Sequence, residues 1–204
     1  MTDPARGHSA ATLVEAAGAP IDLDPEIRAA WPGARLVGRA FTVQGTGGDN
    51  LALHLAVTRA ESGDVLVVDA GAAPHGHWGE VLTVAAQARG IAGLLIDGGV
   101  RDSAEMAALG FSVFSRRNAI RGTRKDFPGI FGRTVRVGGV LISPGDLIVG
   151  DADGVVAIPS AQVARVLDHA DERVAQEQRH FERLRAGERT IDLYEFGAPY
   201  RQEV

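Results

Sequence analysis

Two hydrophobic periodicities alternate along the chain, and most switches between them fall at glycines. Residues 9–18 (SAATLVEAAG) predict a short helix stopped by Gly18, and residues 35–44 (RLVGRAFTVQ) alternate in part and predict a strand. GTGGDN (45–50) is a turn from which Asp49 or Asn50 can cap the helix LALHLAVTRAES, which Gly63 closes. DVLVVD (64–69) is a continuous apolar run, as expected of a strand covered on both faces. The segment GAAPHGHW then reads as a loop, GEVLTVAAQARG as a helix ended by Gly90, and IAGLLID as a second buried strand. GGVRD is a sharp turn into the short helix SAEMAALG, followed by the strand FSVFS. Helix and strand thus alternate from 51 to 115, which predicts α/β structure with a parallel sheet.

The second half follows a different pattern. RRNAIRGTRKDFPG reads as a long basic loop, and TVRVGG, VLIS, DLIVGD and GVVAIP as short antiparallel strands joined by Gly, Pro and Asp turns. Residues 160–186 predict one long helix capped by Ser160, with Val163, Val166, Leu167, Ala170, Val174, Phe181 and Leu184 on one stripe. Its C-terminal part is too polar for a core and is expected to project onto a neighbouring subunit. The expected organisation is one domain over 1–187 and a tail over 188–204.

Composition narrows the class. Lys+Arg total 21 and Asp+Glu 26, a net charge of −5, which argues against a nucleic-acid partner. The chain has no cysteine, which excludes disulfides, thiol nucleophiles and Cys-ligated zinc and fits a cytoplasmic protein. No run approaches the roughly 18 apolar residues of a membrane span, and Met1–Ala10 does not read as a secretory signal.

The chemistry concentrates between Gly79 and Asp102. Glu80 opens one helix, while Arg101 and Asp102 follow the C-terminal end of the next strand, where open α/β sheets bind ligands. The backbone N–H groups of Gly79, Glu80, Val81 and Leu82 are expected to be free and positively polarised, suited to a substrate carboxylate. Arg101 offers a planar donor fork, and Asp102 a hard oxygen ligand for a divalent cation. An exposed cap with its own ion pair is the alternative reading of Arg101–Asp102. GTGGDN lacks the spacing of a dinucleotide loop and reads as a turn at the pocket rim, with Asp49 and Asn50 supplying hydrogen bonds. His54 reads as a core histidine, His75 and His77 as parts of a solvated loop, and Arg116, Arg117, Arg121, Arg124 and Lys125 as a basic loop that is solvated or meets another subunit.

Over residues 35–187 the motifs LVGRAFTV, GGDN, GDVLVVD, WGEVLTVAAQARGIAGLLIDGGVRD and GGVLISPGDLIVGDADGVVAIP and the helical tail occur in order. Together they resemble the RraA-like family, which includes divalent-metal pyruvate aldolases acting on 4-hydroxy-4-methyl-2-oxoglutarate and 4-carboxy-4-hydroxy-2-oxoadipate. Those aldolases carry an acidic residue, twenty others, then Arg-Asp; here the acid is Glu80, where they have Asp. The resemblance implies a layered β/β/α swivelling-type domain with parallel and antiparallel parts and a long C-terminal helix, assembled as a trimer or dimer of trimers. It implies Mg²⁺ or Mn²⁺ at Asp102 and a 2-oxo acid held by Arg101, Asn50 and the 79–82 amides. Arg101 and Glu80 would be catalytic, and an acidic residue of the C-terminal helix would reach across the interface: Glu177, or else Glu172 or Glu188. Oxaloacetate decarboxylation follows as a side activity, since it shares the pyruvate enolate. The family also holds non-enzymatic regulators that bind ribonuclease E; these lack the acidic residue after the motif arginine, and Asp102 favours the enzyme.

Overall fold

The computed structural model describes residues 3–194. Four strands form the parallel centre: β2 (Leu36–Gln44), β3 (Asp64–Trp78), β4 (Gly93–Val100) and β5 (Ser112–Asn118). They lie side by side in the order β5-β4-β3-β2. The short β1 (Arg28–Ala29) pairs antiparallel with β5, and β6 (Ile130–Phe131) with the end of β2. The antiparallel pair β9 (Leu147–Gly150) and β10 (Val155–Ile158) extends the other edge, with β9 against β2. A separate hairpin is made by β7 (Val135–Val137) and β8 (Val140–Ile142).

The layers follow from which face each apolar set covers. Helices α2 (Leu51–Arg59), α3 (Glu80–Gln87) and α4 (Ser103–Leu109) are the connections of the parallel strands. Their Leu53, Ala56, Leu82, Ala86 and Met106 pack with Leu66, Val68, Leu94 and Ile96 on one face of the sheet. Val135, Val137 and Ile142 of the hairpin pack with Val65, Val67 and Leu95 on the other. That arrangement is the expected β/β/α layering. Strands covered on both faces need no alternation, which is why β4 is buried at every position. α1 (Ala10–Ala17) and the long α5 (Val163–Arg185) cover β9 and β10 through Leu13, Val166, Leu167 and Ala170. α5 is exposed over most of its second half, and the four-residue α6 (Thr190–Leu193) follows it.

Several local expectations change. GAAPHGHW is not a loop: β3 runs through it to Trp78 beside β4. The basic segment begins inside β5, where Arg116, its side chain 10% exposed, is an ion-pair centre. Its Nε lies 2.7 Å from Asp97 Oδ1, and its Nη1 lies 2.9 Å from Asp24 and 2.6 Å from Glu26. These carboxylates hold the guanidinium pKa above its usual value, Asp97 foremost, against the opposing effect of burial. Ser160 does not cap α5: it lies in a 3₁₀ turn, Ser160–Gln162, and its own N–H donates to Asp146. At α2 it is Asp49 that accepts the Leu51 N–H, while Asn50 makes no side-chain cap bond.

Arg116→Met is expected to destabilise the fold by about 3–5 kcal/mol, because it leaves Asp97 buried without its cation. Thermal and urea denaturation measure this; a loss below about 1 kcal/mol would mean that solvent already screens the cluster.

Candidate functional site

The C-terminal ends of β3 and β4 meet the starts of α3 and α4, and the segment 79–102 closes on itself there. The Arg101 N–H donates to Trp78 O at 2.9 Å. Asp102 takes a left-handed backbone (φ 57°), a conformation Asp tolerates better than most residues. Its Oδ2 accepts the Glu80 N–H at 3.0 Å, so a carboxylate from α4 caps the first turn of α3. A Cβ on Gly79 would fall 2.3 Å from that oxygen, so only glycine admits this approach. The Arg101 stem lies against Gly76 in the same way, and its Nε is 3.7 Å from Asp102 Oδ2.

Two concavities share this corner. One, of about 230 Å³, is lined by Asn50, His54, His77, Gly79, Val81, Leu82, Arg101, Asp102 and Lys125, among others. The other, of about 750 Å³ and more open, is bounded by Pro74, Arg101, Asp102, Ser103 and residues 118–121. Asn50, Gly79, Val81, Leu82, Arg101 and Asp102, expected together from the sequence, therefore line one cavity. Glu80 is exposed and lines neither concavity, and its N–H is already spent on Asp102. That corrects one expectation: of the four amides, Gly79, Val81 and Leu82 are left without a protein acceptor among the described residues.

Asn50 is 8% exposed; its Nδ2 donates to His77 O at 3.0 Å, and its Oδ1 has no partner. Such an orphan acceptor is costly unless a ligand or water offers it a donor. The turn that carries it is fixed from below. Asp49 accepts the N–H groups of Leu51 and Asp126, while Asn50 N–H donates to Arg124 O and Arg124 N–H to Gly48 O. Burial alone would raise the Asp49 pKa, but the backbone N–H groups of Asp126, Leu51 and Phe127 and the Arg124 charge outweigh it and hold it low.

The histidines and Lys125 differ from expectation. His77 is fully buried rather than solvated, and His54 is half-buried on the cavity wall rather than a core residue. Burial first, and then the Lys125 charge, push the His54 pKa below its usual value. Periodicity gives no hint of these positions, because a long-range turn brings Lys125 beside α2. Glu177 pairs with Arg173 at 3.1 Å, and Glu188 with Arg183. No α5 residue lines either concavity within one chain, so Glu177 and Asp102 are not brought together there.

Among the described residues no cluster of three His, Asp or Glu is gathered to form an all-protein cage. Asp102 keeps one carboxylate oxygen without a protein donor, and it lines the same cavity as Asn50, whose amide oxygen has no partner. One carboxylate with room for water and a chelating ligand suits Mg²⁺ or Mn²⁺, which retain much of their hydration, and does not suit zinc.

The RraA-like family (Aldolase/RraA) matches residues 10–157, which hold the whole Gly79–Asp102 corner. This chain belongs to that family. A relative from Halalkalibacterium halodurans, provisionally named 4-hydroxy-4-methyl-2-oxoglutarate aldolase, is 42% identical over 71% of this chain and 69% of its own. A solved structure of an uncharacterised Pseudomonas syringae protein superposes with a TM-score of 0.83 at 30% identity, covering 92% of this chain and 89% of that one. Streptomyces coelicolor RraAS2, described as an unusual member of the RNase ES inhibitor RraA family, superposes at 0.77 with 28% identity, covering 90% and 96%. The RraA-like fold is thus shared by proteins named for lyase chemistry and for ribonuclease inhibition. No helix among the described residues is long and apolar enough to cross a membrane.

Proposed function

We propose that this RraA-like protein is a divalent-metal-dependent carbon–carbon lyase that cleaves a 4-hydroxy-2-oxo dicarboxylic acid, such as 4-hydroxy-4-methyl-2-oxoglutarate, to pyruvate. The observation that carries this is the Arg101–Asp102 corner, which shares one cavity with the open amides of α3 and the orphan Asn50 oxygen. The name of the H. halodurans relative supports the same chemistry.

Asp102 would hold Mg²⁺ or Mn²⁺, which when bound supplies Lewis-acid polarisation of the 2-oxo group. The amides of Gly79, Val81 and Leu82 take the substrate 1-carboxylate, oriented by the positive end of α3. Arg101 donates to the C2 oxygen and stabilises the negative charge that collects there as the C3–C4 bond breaks. Glu80 accepts the 4-hydroxyl proton, directly or through water, as C4 becomes a carbonyl, and a proton returned to C3 gives pyruvate. Oxaloacetate would lose CO₂ through the same enolate. Lys125, the sole lysine, stands across the cavity with no role as a Schiff base in this scheme.

Val81, on the smaller cavity, and Ile120, on the larger, are 77% and 93% exposed. Apolar side chains around a polar cavity support a site completed by a second copy, in a trimer or dimer of trimers, where Glu177 of a neighbour would help to hold the metal.

The test is metal-dependent pyruvate release from 4-hydroxy-4-methyl-2-oxoglutarate and from oxaloacetate, with and without chelator. Absence of release with Mg²⁺ and Mn²⁺ alike would leave the regulator reading, which the description of the S. coelicolor relative supports. Glu80→Gln is expected to keep metal binding and lose turnover by about 10²–10⁴-fold, since glutamine keeps the size but accepts no proton. Pyruvate methyl-proton exchange followed by NMR should fall with it. Unchanged cleavage and exchange would remove Glu80 from proton transfer.

A further inference from the structure

β3 and β4 keep register up to Asp69 and Asp97 and then lose it. The next pairs are Ala73 with Gly98, Gly76 with Gly99 and Trp78 with Val100. β3 therefore spends residues 69–78 where β4 spends only 97–100. Surplus residues of this kind leave ladder groups of the partner strand without main-chain mates. His77 is one of the surplus residues, and its fully buried ring joins one such group, on β4, to a group of the turn between β2 and α2. Nε2 lies 3.1 Å from the Gly48 N–H, and Nδ1 lies 3.2 Å from Gly99 O. An amide N–H only donates and a carbonyl only accepts, so the ring is neutral, with its proton on Nδ1.

The two groups it joins lie close in sequence to Asn50 and Arg101, which line the cavity. Gly48 is two residues before Asn50, and Gly99 two residues before Arg101. The main-chain oxygen of His77 also accepts Asn50 Nδ2, which fixes the amide with its oxygen as the free acceptor. Glycine is needed at both contacts: Gly48 has φ 74° and would put a Cβ 3.2 Å from His75 Nε2, and a Cβ on Gly99 would lie 2.7 Å from His75 O.

We propose that His77 is a positioning residue, a neutral imidazole clamp that sets the spacing between the Asn50 turn and the Arg101–Asp102 corner. Its kinetic consequence rests on the lyase reading, while its structural consequence does not. Protonation turns Nε2 into a second donor facing the Gly48 N–H, so the clamp holds when the ring is neutral and opens as pH falls through its pKa. Burial foremost, and the charge of His75, lower that pKa from its usual value; the Gly99 carbonyl and the charge of Asp49 oppose them. His54, Lys125, Arg101 and Asp102 share the cavity with the ring. The opening therefore falls below the ordinary imidazole value of about 6.5.

Two variants separate clamp from bulk. His77→Asn keeps a donor near the Nδ1 position for Gly99 O and loses the reach to Gly48, whereas His77→Phe keeps the ring and loses both bonds. In the full-length protein without substrate, ¹⁵N NMR should show an unprotonated Nε2 and a slowly exchanging Gly48 amide, and His77→Asn should stay folded, with a lowered melting temperature and that amide exchanging fast. With Mg²⁺ and oxaloacetate, kcat of His77→Asn should fall by about ten- to a hundredfold, as misplacement of catalytic groups does, at unchanged metal affinity. The acid limb of the wild-type kcat/KM profile should lose one ionisation in the variant, which a merely structural histidine would not cause. An Nε2-protonated ring, or a Gly48 amide exchanging equally fast in both proteins, overturns the clamp, as does normal kcat with an unchanged acid limb. If the wild-type protein releases no pyruvate, the lyase reading fails, and the NMR result alone decides the clamp.

Discussion

Asp102→Asn is expected to abolish metal-dependent pyruvate release, by at least about a thousandfold, while the protein keeps its fold. A metal supplies several kcal/mol of charge stabilisation, and each 1.36 kcal/mol is about tenfold in rate. Asparagine is the informative substitution because Asp102 does two things in this structure. Its Oδ2 accepts the Glu80 N–H, and its backbone sits at φ 57°. Asparagine retains an acceptor and tolerates that backbone, so only the charge is lost. Alanine would forfeit the cap, costing about 1 kcal/mol, and a further penalty of about 1–2 kcal/mol for the left-handed backbone. Loss of activity in alanine alone would thus confuse chemistry with folding. The readouts are Mn²⁺ binding by the change in water proton relaxation, turnover, and melting temperature. Wild-type turnover that still requires metal would remove Asp102 from the metal site.

Arg101→Lys is expected to lower kcat by about 10²–10³-fold, the usual loss for one donor to a developing oxyanion. The Arg101 stem runs against Gly76, and its Nε approaches Asp102 at 3.7 Å. That leaves the two Nη groups as the part of the fork able to reach a ligand. Lysine keeps the charge but neither the Nε contact nor the planar geometry, and its rotatable ammonium is not held in place. Steady-state kinetics with oxaloacetate and 4-hydroxy-4-methyl-2-oxoglutarate should show the loss in kcat with both substrates, since both form the same enolate. A loss confined to KM would make Arg101 a carboxylate anchor instead. Near-normal kinetics would mean that charge alone suffices there.

The alternation of helix and strand from 51 to 115 is legible because each kind of element leaves its own period in the chain. Val65–Val68 and Leu94–Ile96 are apolar without a break because helices cover one face and the β7–β8 hairpin covers the other. Gly79, Glu80, Arg101 and Asp102 are legible for a different reason. They stand at the starts of helices that follow strands of one parallel sheet, and such points converge wherever the strands are neighbours.

Periodicity carries no information about β3 beyond Asp69. GAAPHGHW has the composition of a loop, and it is a strand only because β4 lies beside it. His77 is buried because a bulge turns its ring between two segments distant in sequence, and Arg116 is largely covered because Asp97, Asp24 and Glu26 converge on it from β4 and from the segment before β1. Lys125 and His54 reach the cavity through the Gly48–Arg124 stitch. Local sequence fixes backbone preference and the side of an element that seeks cover. Which polar side chains are buried, and with what partners, is decided by hydrogen bonds between segments far apart in the chain, and those exist only once the sheet has closed around them.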